Sequence, residues 1–140
     1  MVEIKLKKVE IPPKGIHLLI ETYINSTPAN LVVDTGASRS VIDYDFLMSL
    51  NPPIDLKEEE GESAGVGSSN LHSFVTRIDK FVIGELTLQN VELASLDLTH
   101  VKQSYENLGE TPIYGVLGGD ILNEYHSTID YKKSVLRLND

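Results

Sequence analysis

Alternation of apolar and polar residues dominates this chain. Between Ile16 and Ile24 every second side chain is apolar or a threonine, and His17 and Tyr23 are among those on the opposite face. A period of two predicts a β-strand with one buried face. Similar patterns predict strands at residues 2–6, 29–33, 73–83, 86–98 and 134–138, with turns at residues 25–28 and 84–85. Many short strands with little helix indicate an all-β, barrel-like domain.

Helical signals are brief. Residues 43–50 predict a short helix capped by its first residue, an aspartate. A second short helix is predicted at residues 119–125, where aspartate at 120 favours capping over catalysis. A third segment, residues 101–108, favours helix with Thr99 as cap and Gly109 as stop.

Length and composition set the class of protein. The 140 residues are of the size of one domain, which we assign to residues 1–140. The chain has no cysteine, so it has no disulfide or thiolate metal site, as fits a reducing compartment. No apolar run has the length of a signal peptide or a membrane span. We therefore expect a soluble, cytoplasmic protein.

Charge disfavours several partners and cofactors. The net charge of −9 disfavours nucleic-acid binding, which needs clustered Lys and Arg. Much of the negative charge falls in residues 55–62, which we interpret as a solvated loop. The four histidines have no metal-ligand spacing. We expect no metal, no cofactor, no nucleic acid and no membrane partner.

The segment Asp34-Thr35-Gly36-Ala37-Ser38 is the most informative one for function. It follows the apolar run at residues 31–33, so a strand delivers an aspartate to a tight turn of small residues. From average residue usage an Asp-Thr-Gly triplet occurs by chance about 0.03 times in a chain of this length. An ordinary turn would also use Asp and Gly. Such an aspartate can share a proton with a second carboxylate and activate water.

The chain resembles the retropepsin-like aspartic proteases, single-lobe relatives of pepsin that act as homodimers. The resemblance is carried by residues 31–38, by the glycine-rich stretch 64–68 and by Gly115-Val116-Leu117-Gly118-Gly119-Asp120-Ile121-Leu122. Residues 127–131 and 134–138 also fit the end of the family's chain, whereas residues 97–112 do not match it. The resemblance implies a closed β-barrel lobe with one or two short helices and a flap hairpin.

The resemblance also implies an activity and a site. It implies an aspartic-type endopeptidase, a hydrolase for peptide or protein substrates. Asp34 and Asp34 of a second copy would form the catalytic dyad, since Asp34 is the chain's sole aspartate followed by Thr-Gly or Ser-Gly. Thr35 would hydrogen-bond across the dimer, and Gly36 would offer its N–H to the carboxylate. Ala37 and Ser38 would complete the loop, with Ser38 donating to an outer carboxylate oxygen.

Further expectations concern the flap, the interface and an internal repeat. Gly65, Val66, Gly67 and Ser68 are the candidate flap and substrate-binding residues, and Val66, Leu71 and Phe74 could line the cleft. The terminal strands, residues 2–6 and 134–138, are candidates for the dimer interface, because unpaired edges invite strand addition. Gly36 and Gly118 end similar apolar segments in the two halves, where we expect chain segments to cross closely.

Three alternatives stay open. A phosphoryl-transfer enzyme could use Asp34 as a nucleophile, although the lysine expected after such an aspartate is absent. A catalytically silent module of the same fold could serve dimerisation or peptide binding. The chain could also be matured from a larger polyprotein, although its start at Met1 fits a free-standing cellular protein better.

Overall fold

The computed structural model describes residues 1–59, 73–109 and 111–139, which form a mainly β fold. In chain order the strands are β1 (Val2–Lys5), β2 (Lys7–Ile11), β3 (Gly15–Ile24), β4 (Thr27–Val33), β5 (Val41–Asp43), β6 (Leu56–Glu58), β7 (Phe74–Ile83), β8 (Leu86–Leu96), β9 (Gly115–Leu117), β10 (Thr128–Asp130) and β11 (Val135–Leu138). The helices are α1 (Tyr44–Ser49), α2 (Thr99–Asn107) and α3 (Gly119–Glu124).

Six strands close into a barrel. They run in the order β3-β4-β9-β5-β8-β7, and β7 pairs back onto β3. Two of the six pairings are parallel, β4 with β9 and β5 with β8, and the other four are antiparallel. β2 extends this sheet beside β3, and β6 extends it beside β7. The predicted all-β barrel is confirmed.

The barrel interior is apolar. On β3 the inward residues Ile20 and Ile24 are fully buried, and on β7 so are Ile78 and Phe81, between which the alternation shifts by one residue. Burying a large apolar side chain stabilises the fold by about 1.5–3 kcal/mol. Thr22 is the polar member of the inward row on β3, and its hydroxyl donates to the Ala29 carbonyl at 2.7 Å. The alternation read from the sequence is therefore the pattern of this core.

The two chain termini form a second, three-stranded sheet in the order β1-β11-β10. Ile4, Leu136 and Leu138 of this sheet join the core of the barrel. β11 lies in the middle, between β1 and β10, so it has no unpaired edge. The expectation of an edge strand at residues 134–138 was therefore wrong, and within this sheet the free edges belong to β1 and β10.

The hairpin between β3 and β4 is tighter than predicted. Its loop consists of two residues, Asn25 and Ser26, rather than residues 25–28. Both have positive φ, 46° and 71°, as the tight two-residue turns that match the twist of paired strands require. The register that follows pairs Leu19 with Val32. This register determines which β3 residue lies beside the end of β4.

The helices follow the predicted positions with corrections at their ends. There are three in the described part of the chain, at the three segments that the sequence predicts, whereas the resemblance implied one or two. In α1 the cap is Asp43, whose Oδ2 accepts from the Phe46 N–H at 3.1 Å as predicted. Thr99 is not the cap but the first residue of α2, since the cap position is taken by Leu98. The Thr99 N–H and hydroxyl both donate to the Asp97 carboxylate. Gly109 follows α2 with φ +73°, as a helix stop requires.

The acidic segment, residues 55–62, was interpreted as a loop, but Leu56–Glu58 within it forms β6 and pairs with β7. The prediction failed because an alternation over three residues is too short to detect. The predicted flap residues, Gly65, Val66, Gly67 and Ser68, lie outside the described residues, as does Leu71. None of the described helices has the length and apolar character needed to cross a lipid bilayer.

Candidate active site

Two parallel strand ends meet at the loop that carries Asp34. β4 and β9 run side by side with Val33 opposite Leu117, and the Asp34 N–H donates to the Leu117 carbonyl at 3.0 Å. Asp34 therefore leaves β4 at the level where Gly118 leaves β9. The two halves of the chain thus bring their apolar-glycine segments together, as the internal repeat predicts.

The carboxylate of Asp34 is held by its own turn. Its Oδ1 accepts a hydrogen bond from the Gly36 N–H at 2.9 Å, and its backbone carbonyl accepts from the Ala37 N–H at 3.2 Å. Asp34, Thr35 and Gly36 are exposed to solvent in the single chain. Within the described residues the Thr35 and Ser38 hydroxyls have no hydrogen-bond partner, so the bond expected from Ser38 to the carboxylate is not formed in one chain. The carboxylate is accessible from outside the barrel.

The start of α3 fixes this loop from behind. The Gly119 N–H donates to the Ala37 carbonyl at 2.7 Å, and the Asp120 N–H donates to the Ser38 carbonyl at 3.1 Å. The Asp120 carboxylate accepts from the Ser40 N–H and hydroxyl. We predicted that Asp120 caps α3, but the cap residue is Gly118, and the carboxylate binds the N–H of Ile121, inside the helix. Its larger role is to hold the loop that carries Asp34.

Gly118 and Gly36 are suited to glycine for different steric reasons. A Cβ on Gly118 would lie 2.7 Å from the Arg39 carbonyl oxygen and 2.8 Å from the Ala37 carbonyl oxygen, so the predicted close crossing is present there. A Cβ on Gly36 would meet no backbone and lies 3.2 Å from Asp34 Oδ1. The glycine at 36 therefore leaves room for the carboxylate, whereas the glycine at 118 lets two segments touch.

A cavity of about 270 Å³ opens beside the carboxylate. Its lining comes from β3, from the end of β4 with the loop that follows, and from the β10–β11 region: Ile16, His17, Leu18, Val32, Val33, Asp34, Thr35, Ile129 and Tyr131. Ile16 is 40% and Tyr131 is 56% exposed, which is high for large apolar side chains. Apolar surface left open around an exposed carboxylate indicates a binding region.

Helix α2 occupies the segment that the resemblance left unmatched. Its Tyr105 packs with Val9, Leu19 and Ile113 in a small second core. The Tyr105 hydroxyl also contacts Nδ1 of His17, which lines the cavity. Burial, and then the nearby charge of Asp34, raise the pKa of Tyr105. The unmatched segment is therefore a packed part of the site's surroundings.

The other end of α2 is anchored to a buried carboxylate. Asp43 is fully buried, and it accepts from the Leu98 N–H at 2.9 Å and from Lys102 Nζ at 2.8 Å. Burial alone would lower the pKa of Lys102, but the hydrogen bond and charge of Asp43 outweigh it and raise that pKa. α2 is thus held at Lys102 and, one turn later, at Tyr105.

Two further observations bear on the site's charge. Arg39, in the loop after Asp34, forms an ion pair with Glu59 at 2.8 Å and links the loop to the residue after β6. Across the described ranges no group of three or more His, Asp or Glu side chains is placed to hold a metal ion.

Phe74, expected to line the cleft, packs on the Tyr44 ring at 4.9 Å between centroids and is not among the cavity residues.

Sequence reasoning missed His17 and Tyr105. A signal for His17 was present, because a two-residue turn at Asn25 and Ser26 fixes the hairpin register and places His17 near Asp34. That signal was lost when the turn was read as four residues. Tyr105 had no usable signal, since the contact joins residues 88 positions apart across a segment without a family counterpart.

Many solved structures resemble the whole fold, among them three proteins, each at a low sequence identity that supports the fold alone. The retroviral protease-like domain of Ddi1 from Leishmania major superposes with a TM-score of 0.58 at 16% identity, over 89% of each chain. A retropepsin-like aspartic protease from Rickettsia conorii gives 0.57 at 18% identity, over 96% of this chain and 86% of that chain. EIAV protease in complex with the inhibitor HBY-793 gives 0.55 at 20% identity, over 87% and 99%.

Sequence comparison gives a family match over most of the chain. No curated protein matches the chain significantly in sequence. The profile of the family described as aspartyl protease matches residues 20–121, a span that runs from β3 into α3 and includes the Asp34 loop. The chain therefore belongs to the aspartyl protease family and has a retropepsin-like fold.

Proposed function

We propose that this protein is an aspartic endopeptidase that hydrolyses peptide bonds with a water molecule activated by Asp34 and by Asp34 of a second copy. The observation that carries the proposal is the setting of Asp34. Its carboxylate is exposed at the end of β4, bound by the Gly36 N–H at 2.9 Å, on a loop fixed from behind by α3. Family membership over residues 20–121 supports the same chemistry.

The chemistry requires a second carboxylate beside Asp34. The residue that follows β9 next to Asp34 is a glycine, Gly118. Of the described acidic residues near the loop, Asp120 is engaged with Ser40 behind it, and Glu59 is paired with Arg39. A symmetric dimer places two copies of Asp34 on the twofold axis. We therefore propose a homodimer in which each protomer supplies one carboxylate.

The reaction follows from two carboxylates that share one proton. Two like charges in contact cannot both be ionised cheaply, so one carboxyl keeps a proton. The ionised carboxylate takes a proton from water as the water attacks the amide carbon, and the protonated one stabilises the developing oxyanion. The proton then passes to the leaving nitrogen. Activity should therefore fall on both sides of an acidic optimum.

The loop residues have distinct proposed roles. Gly36 orients the carboxylate through its N–H. Thr35, whose hydroxyl is exposed and unpaired within the described residues, would bind across the twofold axis and keep the two loops in register. Ala37 offers its carbonyl to α3, and Ser38 remains the candidate donor to the outer carboxylate oxygen once a partner orders the loop. The flap residues 65–68 stay a prediction.

The test is cleavage of an unstructured peptide mixture by the wild type and by Asp34→Asn, at acidic and neutral pH. Asp34→Asn keeps the size of the side chain and removes the ionisable group. We expect a loss of at least about 10³-fold, since the general base is gone. Asp79→Asn, at an exposed aspartate of β7, is the matched control and should retain activity.

The outcomes separate the alternatives. Equal cleavage by the wild type and Asp34→Asn would contradict the proposal. Cleavage by neither, together with peptide binding by both, would favour the catalytically silent module of the same fold.

A further inference from the structure

The imidazole of His17 shares the cavity with Asp34 and has no role in the proposal above. The paired register of β3 and β4 ends at Leu19 and Val32. His17 and Asp34 each lie two residues beyond this last pair, where β3 and β4 are no longer paired. Both residues line the cavity of about 270 Å³, so they face the same space.

Tyr105 fixes the orientation of the His17 ring. The Tyr105 hydroxyl contacts His17 Nδ1, and the two rings are tilted by 53° with centroids 5.7 Å apart. Tyr105 is 5% exposed, and a buried hydroxyl needs an acceptor for its proton. Nδ1 is the acceptor that the described residues offer. Since burial and the charge of Asp34 keep the phenol protonated, Tyr105 donates to Nδ1.

This arrangement determines which ring nitrogen can bind a ligand. A neutral imidazole that accepts at Nδ1 carries its proton on Nε2, and a protonated imidazole carries protons on both nitrogens. Nε2 is therefore a donor in either form. No described residue accepts a hydrogen bond from it. His17 lines the cavity and Tyr105 does not, so the half of the ring that carries Nε2 is the half on the cavity side.

The neighbouring groups favour an acceptor as the ligand. Lys8, on β2, donates through Nζ to the Tyr131 carbonyl at 3.1 Å at the β10–β11 end of the cavity. The β2 residue paired with His17 is Val9, which is apolar. The titratable groups on the elements around the imidazole are Tyr105, Tyr131, Lys8, Asp34 and Glu10, the last of which pairs with the cavity residue Ile16. Because none of these described residues accepts a hydrogen bond from Nε2, an acceptor on the ligand is its complement.

We propose that His17 is a specificity-determining residue of the cleft: its Nε2–H, oriented by Tyr105, donates a hydrogen bond to an acidic side chain of the substrate. The proposal rests on the proposed peptidase function for its substrate class. A hydrogen bond to a charged acceptor is about twice as strong as one between neutral groups, so a carboxylate is preferred over an amide.

The test uses peptide pairs that differ by Glu or Gln at one position, scanned along a cleaved peptide. The readout is the ratio of kcat/KM for the two members at one pH above about 5.5, where Glu is ionised. The wild type should prefer Glu by about 5- to 10-fold at one position. His17→Ala should bring that ratio to one, and Tyr105→Phe should reduce it because the ring is no longer held. His17→Gln, which keeps a donor without charge, should retain part of the preference.

His100→Gln is the matched control, because it removes an exposed imidazole from α2 and should leave the ratio unchanged. An unchanged ratio in His17→Ala would overturn the proposal. If the dimer dissociation constant of His17→Ala were raised at the same time, His17 would contact the partner protomer instead of substrate.

Failure of the proposed peptidase function can be distinguished from failure of the His17 contact. If the wild type cleaves no peptide, fluorescence anisotropy measures binding of the same Glu and Gln pairs. A Glu preference that His17→Ala removes would support the His17 contact although the peptidase function had failed. Equal binding of the pair members, or no binding of either, would overturn the His17 contact as well.

Discussion

The Asp120 carboxylate accepts hydrogen bonds from both the backbone N–H of Ser40, at 2.9 Å, and its hydroxyl, at 2.7 Å. The same hydroxyl oxygen accepts from the Gly118 N–H at 2.9 Å. Ser40 is fully buried, and it ends the loop that begins at Asp34. One acidic side chain of α3 thus fixes the far end of the candidate catalytic loop.

Asp120→Ala should destabilise the protein by about 1–3 kcal/mol, because the buried Ser40 N–H is left without an acceptor. The free energy of unfolding in urea measures this effect. Asp120→Asn keeps one acceptor oxygen and should cost less than Asp120→Ala. If both variants unfold at the wild-type urea midpoint, the carboxylate does not hold the loop.

Gly118→Ala should destabilise the fold by about 1–3 kcal/mol, because its Cβ would press on two carbonyl oxygens that belong to the loop backbone. Those oxygens, of Arg39 and Ala37, would lie at 2.7 and 2.8 Å. The neighbouring Gly119→Ala is the matched control, since its nearest contact would be 3.4 Å and alanine favours helix. Thermal unfolding of the two variants compares them, and equal melting temperatures would contradict the close crossing at Gly118.

Asp43→Ala should destabilise the protein by about 3–5 kcal/mol, because it removes the buried partner of Lys102 and the acceptor of two backbone N–H groups. Those groups belong to Phe46 and Leu98, so both α1 and α2 lose an anchor. Lys102→Met should cost less, since Asp43 keeps its two backbone donors. Chemical denaturation of both variants measures the difference, and a larger loss in Lys102→Met would show that the ion pair is the main anchor.

Acid should weaken the terminal sheet through Asp130. The hydrogen bond from the Lys133 N–H, and then that from Arg137, hold the pKa of Asp130 below its ordinary value. A folded-state pKa below the unfolded one adds stability above the unfolded pKa, and that stability is lost as the pH falls through the folded pKa. Asp130→Asn should therefore be less stable than the wild type at neutral pH. The gap should close in acid, as urea denaturation across the pH range would show, and a gap independent of pH would contradict it.

The barrel was predictable because its strands bury one face and expose the other. β3 and β7 have ten residues each, long enough for alternation to be recognised although it shifts by one residue within β7, and their buried residues form the core. β5, β6 and β9 have three residues each, too few for a period of two to be recognised. The order of strands was not predictable from local pattern either, since the parallel pairing of β4 with β9 joins distant parts of the chain.

The candidate site was predictable where it is local in sequence. The bond from the Gly36 N–H to the Asp34 carboxylate lies within one turn, and the resemblance to the family implied it. The support from Asp120 to Ser40 spans 80 positions, and the contact of His17 with Tyr105 spans 88. Such contacts follow from tertiary packing, which no short pattern encodes. β10 has a free edge because β11 lies between β1 and β10, and this order likewise follows from the fold alone.

The central claim is that two chains share one active site, and mixing tests it most directly. At a concentration where sedimentation shows the wild type to be a dimer, a ninefold excess of Asp34→Asn is added and allowed to exchange, and peptide cleavage is measured. If each site needs Asp34 from both protomers, random pairing leaves about one tenth of the wild-type chains in active dimers, so activity should fall to about one tenth. Asp79→Asn added in the same excess should instead raise cleavage about tenfold, because it keeps Asp34 and every dimer is active. Unchanged cleavage after complete exchange with Asp34→Asn would show that one chain suffices and would contradict the shared site.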